Sequence, residues 1–191
     1  MSISRRTALV TIAAPIFAQS NGRVIVLIDS AAGEITVALS GDRAPKTVEN
    51  FLRYLDAGYY SGGLFHRTVT MKNQPQSPVE IEVIQGGPNP DGKRGFEPIP
   101  LERTKLSGLL HVNGAISMAR SGVNSATSDF FFCIGDQPSL DFGGKRNSDG
   151  QGFAAFGLVI QGLDVIQKIQ ALPAEGQRLN PPVRIRSIKR V

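Results

Sequence analysis

The chain predicts a mainly β domain, a closed or nearly closed β-barrel with two helices set against it. Three observations carry that prediction. Short runs rich in Val, Ile and Phe recur along the chain, bounded by turn residues. Twenty-one glycines and twelve prolines among 191 residues imply many turns and short elements. Apolar residues take helical spacing in two separated stretches only. With 41% hydrophobic residues the chain can bury a real core, and its length fits one domain with at most an appendage.

The elements follow in order. RVIVLIDS (23–30) and EITVALS (34–40) are β-branched runs joined by AAG, the pattern of a hairpin. In APKTVENFLRYLDAG, Val48, Phe51, Leu52 and Leu55 follow i, i+3, i+4, i+7, with Pro45 at the start and Gly58 past the end. That is an amphipathic helix of about three turns. LFHRTV (64–69) returns to strand, MKNQPQSP (71–78) is loop, and VEIEVIQ (79–85) is strand again. A proline-rich connection leads to strands at 108–112 and 115–119, then to DFFFCIG (129–135). DFGGKRNSDGQG (141–152) is a glycine-rich loop. FAAFGLVI (153–160) is a strand, a second helix places Leu163, Ile166 and Ile169 inward, and VRIRSIKRV closes with strand alternation. No internal repeat is present.

Before these elements stands MSISRRTALVTIAAPIFAQSNG. Two arginines, an apolar run of about a dozen residues and a closing Ala18 have the layout of a secretory signal. Residues 1–18 are therefore expected to be a signal peptide, 19–22 a short linker and 23–191 the folded domain, placed in the periplasm or another exported space. An uncleaved anchor is the alternative, and the SRR stretch leaves the twin-arginine route open. Removing residues 1–18 takes away Arg5 and Arg6 and no acidic residue, lowering the formal net charge from +5 to +3. No Lys/Arg run then resembles a nucleic-acid stripe, so no nucleic-acid partner and no stable membrane insertion are expected. Cys133 is the only cysteine and lies in the apolar run FFFCI, as an inert core residue would.

Several chemistries lack their parts. His66, His111 and Cys133 give no metal-ligand spacing, and there is no GxSxG, no GxxxxGK[ST] and no GxGxxG opening a helix. No metal and no cofactor is expected. Arg67, in the middle of an apolar strand, stands out, because arginine is seldom buried without a partner. Either it faces water harmlessly or the fold holds it for a purpose.

APKTVENF (44–51), FHR (65–67), VIQGG (83–87), GAISMA (114–119), SDFFFCIG (128–135) and FG (156–157) occur in that order. Together they resemble the cyclophilin family of peptidyl-prolyl cis–trans isomerases, from about residue 23 to the end. The resemblance implies a closed eight-stranded antiparallel β-barrel capped by two α-helices, with the active groove on its outer face. It implies turnover of Xaa–Pro bonds in unfolded or flexible proline-containing polypeptides, without a cofactor, by a monomer that assists folding of exported proteins. It assigns Arg67 as the catalytic arginine, Gln85 as its orienting glutamine and Phe131 as the floor of the proline pocket. Plain core remains the other reading of Phe131, although strand alternation sends Phe130 and Phe132 to the opposite face. Val83 and Leu140 match apolar pocket positions, Ala119 and Arg120 the stretch along which substrate backbone runs, and His66 a further site position or a structural histidine.

The chain also departs from the family pattern. Glu82 stands where a pocket phenylalanine is common, after a longer connection from Arg67. Asp129 replaces a glutamine and could orient Arg67 or sequester it. Ser139 replaces a tryptophan, which argues against tight cyclosporin binding, and Phe153 aligns with a pocket histidine after an insertion. Glu82 and Asp129 leave room for a second reading, a proline-segment binding module or holdase with little turnover. A barrel that binds a small ligand inside is the poorer third.

Overall fold

A computed structural model describes residues 22–92 and 94–191. The leader read at 1–18 and nearly all of the linker lie outside the described residues. The hairpin forms as β1 (Arg23–Ser30) and β2 (Gly33–Ser40), in register from Arg23 opposite Ser40 to Ser30 opposite Gly33. Ser30 Oγ closes the turn by donating to Gly33 O and accepting from Ala32 N–H. Helix α1 (Pro45–Asp56) buries Val48, Phe51, Leu52 and Tyr54. Ala44 offers no capping side chain, and the free N–H groups of Lys46 and Thr47 donate instead to the Glu102 carboxylate, at 3.1 and 2.8 Å. An anion at this end also suits the helix dipole.

The remaining strands are β3 (Leu64–Val69), β4 (Val83–Gly87), β5 (Ala115–Met118), β6 (Phe130–Cys133), β7 (Ala154–Gln161), β8 (Ala174–Glu175) and β9 (Arg178–Arg190). Pairing runs β1-β2-β7-β5-β6-β4-β3-β9, all antiparallel, and β9 returns to β1. This closes an eight-stranded barrel, while β8 adds only a two-residue arm on β9. Closure leaves no edge in the ring for a second chain to extend. The interior is filled by side chains: Phe65, Phe130, Phe132 and Phe156 are all inaccessible, and Phe51 of α1 meets Phe130 and Phe156 from above. Helix α3 (Leu163–Gln170) covers β2, β3 and β4 with Ile166 and Ile169, while Leu163 is only partly buried.

Three expectations on the elements change. The strand expected at 79–85 begins only at Val83. Before it, Ile81 N–H donates to Gln74 Oε1 and Gln74 Nε2 to Ile81 O, so a side chain takes the place of a neighbouring strand. Residues 108–112 form no strand. A third, single-turn helix α2 (Thr104–Ser107) ends at Gly108 with φ 66°, and Leu110 and Val112 then face outward. Apolar composition imitated a strand there without a partner to pair with. The strand expected at 129–135 keeps only Phe130–Cys133.

Candidate active site

Register sets the site on the outer face of the barrel. Arg67 on β3 lies opposite Gln85 on β4, and Gln85 lies opposite Phe131 on β6. Simple alternation would send Arg67 the same way as Phe65, into the core. A bulge prevents this: Phe65 pairs with Gly86 and Arg67 with Gln85, so His66 is the extra residue. The bulge turns the rest of β3 over, leaving Phe65 inside with Arg67 and Val69 outside.

Three hydrogen bonds hold the guanidinium. Arg67 Nη1 donates to Gln85 Oε1 at 2.9 Å, while Nε and Nη2 both donate to Gln177 Oε1 at 3.0 and 2.6 Å. Gln177 sits in the turn between β8 and β9 and is anchored by donation to Asn73 O. Gln85 is anchored in turn by Nε2 donating to Asp129 Oδ2 at 3.1 Å. Asp129 therefore acts on Arg67 through Gln85 and does not sequester it. His66 Nε2 stands 3.5 Å from the same carboxylate oxygen, at the edge of the site and outside the lining of the groove. Burial, and then the nearby Arg146 charge, lower the Arg67 pKa from its ordinary value. Guanidinium basicity keeps it a cation at neutral pH.

Beside Arg67 lies a groove of about 490 Å³. Its apolar wall is a second hydrophobic cluster, on the opposite side of the sheet from the barrel core, built from Ile81, Val83, Phe131 and Leu140 with Ala119 and Phe153 against it. Phe131 is 4% exposed and meets Phe153 edge to face at 5.4 Å, which makes it the floor rather than interior core. Arg120 runs along the rim, with Nη1 and Nη2 donating to the Asp149 carboxylate at 2.7 and 2.9 Å. Those bonds first, and the Gln151 N–H second, hold the Asp149 carboxyl at a pKa of about 2. Thus Arg67, Val83, Gln85, Ala119, Arg120, Asp129, Phe131, Leu140 and Phe153 all meet in the groove.

Glu82 is the correction within the site. It points away, where Gln170 Nε2 donates to its carboxylate, and the neighbouring Ile81 fills the apolar position instead. Ile81 shares the groove face with Val83 and Gln85 by plain alternation, so the groove gains an aliphatic side chain and no charge there. Sequence reasoning also missed Gln177, Arg146 and Asn147. Gln177 stands 110 positions from Arg67, and no local pattern marks it.

Behind the floor, Asp141 Oδ1, His111 and Ser117 Oγ form a chain of hydrogen bonds at 2.7 and 2.9 Å, in the order of a hydrolytic triad. Ser117 is 0% exposed, however, and cannot meet a substrate. The chain instead holds the His111 ring nearly parallel to Phe131, 6.0 Å away. Among the described residues, no group of three or more His, Cys, Asp or Glu side chains is placed to hold a metal ion.

Comparison with known proteins agrees with this geometry. A family model described as cyclophilin type peptidyl-prolyl cis-trans isomerase/CLD matches residues 24–190. The chain belongs to this family. The cyclophilin is 36% identical over 151 residues to peptidyl-prolyl cis-trans isomerase A of Dickeya dadantii, covering 78% of this chain and 73% of that one. It is 32% identical over 164 residues to the isomerase cyp18 of Streptomyces antibioticus, covering 85% and 93%. A cyclophilin type isomerase of Cryptosporidium parvum, solved in the presence of the dipeptide ala-pro, superposes with a TM-score of 0.70 at 23% identity, covering 87% and 98%. That likeness concerns the fold. Family membership makes the present cyclophilin a peptidyl-prolyl cis–trans isomerase.

Proposed function

We propose that this cyclophilin turns over Xaa–Pro bonds in flexible segments of exported proteins, as a monomer, with Arg67 as the catalytic residue. The observation that carries the reading is a guanidinium fixed by two glutamines beside an apolar wall. Amide resonance sets a barrier of about 18–20 kcal/mol to rotation. As the bond twists, the proline nitrogen recovers its lone pair and becomes an acceptor. Arg67 Nη1 and Nη2 each carry two N–H groups, one of which stays available for that nitrogen. The donation is stronger in the twisted state than in the planar one, and that difference lowers the barrier. Phe131, Val83, Ile81 and Leu140 receive the proline ring, Gln85 orients Arg67, and Ala119 and Arg120 guide the backbone.

A charge-assisted hydrogen bond is worth about 1.5–3 kcal/mol, or roughly one to two factors of ten in rate. Isomerisation of a short Xaa–Pro peptide by the full chain, followed by a protease-coupled assay, is expected to slow by that factor in Arg67→Ala. An undiminished kcat/KM would remove Arg67 from the mechanism. The features that left room for a holdase support it less now, since Glu82 faces away and Asp129 holds Gln85. Export rests on residues 1–18, whose charged start, apolar run and small residue at the end have the layout of a signal peptide. Cell fractionation tests it: enzyme found in the cytoplasm at full length would overturn the exported role.

A further inference from the structure

The two long connections flanking the groove, residues 70–82 and 141–153, are joined by one side chain. Arg146 Nη1 donates to Val79 O at 2.6 Å and Gln74 Oε1 at 3.2 Å, and also to Ser77 Oγ. Gln74 is itself buried and holds Ile81 O and Thr70 O. Arg146 N–H donates to Ser139 O, securing the loop from its other side. The result is a built wall beside Ile81 and Leu140, with Arg146 and Asn147 on its groove face.

One nitrogen of Arg146 makes all of those side-chain bonds. Its Nε and Nη2 have no acceptor among the described residues, where neither Arg146 nor Arg67 belongs to an ion pair. Asn147 Nδ2, enclosed by protein on the same wall, also lacks a hydrogen-bond partner. Leaving a buried donor unmade carries a desolvation penalty that a ligand acceptor would relieve. The carboxylates near the groove are engaged elsewhere: Asp129 with Gln85 and His66, Asp149 with Arg120. The Arg146 wall therefore offers cation and amide donors, while the Arg120 rim is already neutralised and bordered by negative charge.

We propose that Arg146 and Asn147 form a carboxylate-binding subsite that selects prolines flanked, on one side only, by an acidic residue. The proposal rests on the isomerase reading above and adds substrate preference to it. One side only follows from the asymmetry: a chain crossing the pocket places one flank at the Arg146 wall and the other along the Arg120 rim, whose cation Asp149 already neutralises, with the Asp129 carboxylate beside it.

The test uses the full chain with Ala-Ala-Pro-Ala peptides carrying Glu or Gln directly before or directly after the proline, their cis–trans exchange followed by NMR. A Glu/Gln ratio in kcat/KM of about fivefold is expected on one flank, and a ratio of one or less on the other. The preference should fade between about 0.01 M and about 1 M salt as screening shortens the Debye length. Arg146→Met is expected to abolish the ratio and Arg146→Lys to retain part of it. Should Arg146→Met disturb the loops, the salt titration of the unaltered protein and the smaller Asn147→Ala change decide. Turnover of neutral peptides with equal Glu and Gln rates on both flanks, or equal Glu preference on both, overturns the subsite alone. No turnover of any peptide overturns the isomerase reading as well.

Discussion

Replacing Gln177 by alanine removes the single oxygen that accepts from both Nε and Nη2 of Arg67, leaving Gln85 as the guanidinium's only acceptor among the described residues. Gln177 is outside the lining of the groove, so substrate binding should change little. What changes is the aim of Arg67, a long side chain then held at one end only. Water can reach the partly exposed site and replace part of the lost bonding. The expected loss is therefore about that of one charge-assisted hydrogen bond at its lower bound, near 1.5 kcal/mol or roughly tenfold in kcat. The protease-coupled assay on a saturating series of an Xaa–Pro peptide separates kcat from KM. Gln177→Ala introduced into Arg67→Ala should then slow the reaction little further, because the residue acts only through that arginine. Losses that multiply in the double variant, or a Gln177→Ala enzyme with unchanged kcat, would refute the positioning role.

Three further outcomes follow from the same structure. Deleting His66 removes the bulge and makes Arg67 the immediate neighbour of Phe65, so plain alternation keeps Arg67 outward and opposite Gln85. The variant should stay folded, with a stability loss of about 0.5–3 kcal/mol read by urea denaturation, and keep isomerase activity; a deletion that loses all activity while folded would show that the bulge does more than set the arginine's face. The Asp149 carboxyl is held at about 2, below its unfolded value, so its stabilisation is complete above the unfolded pKa and is lost as pH falls through about 2. The Tm difference between the unaltered protein and Asp149→Asn should accordingly be constant near neutrality and vanish across roughly pH 4 to 2; a difference that persists at the acid end would contradict the assignment. Burial pushes the Cys133 thiol far above its ordinary value, so a disulfide reagent at mildly alkaline pH should label it only after unfolding.

Some of this architecture is legible locally. The β1–β2 hairpin, α1 and the opposite facing of Phe131 and its two neighbours depend on periods of 2 and 3.6 residues, which any stretch of chain carries within itself. Composition without a partner misled in the same local way. Leu109, Leu110 and Val112 read as strand, but Gly108 turns the chain and no neighbour pairs with it. Glu82 stands where motif spacing sets a pocket phenylalanine, yet alternation gives Ile81, Val83 and Gln85 the groove face and turns Glu82 to the other side, where Gln170 donates to it.

The sequence by itself determined the fold class, because residue type and spacing within each strand survive without knowledge of neighbours, and its resemblance to the cyclophilins singled out Arg67, Gln85 and Phe131. Only the tertiary structure decided where they meet and what holds them. A one-residue slip between β3 and β4 turns Arg67 outward, and Gln177 reaches it from 110 positions away. Arg146 joins two loops whose sequences show no mutual signal. Each of these is a hydrogen bond or register between segments distant in the chain, satisfied only once the barrel closes, and no local pattern encodes which distant donor will meet which acceptor.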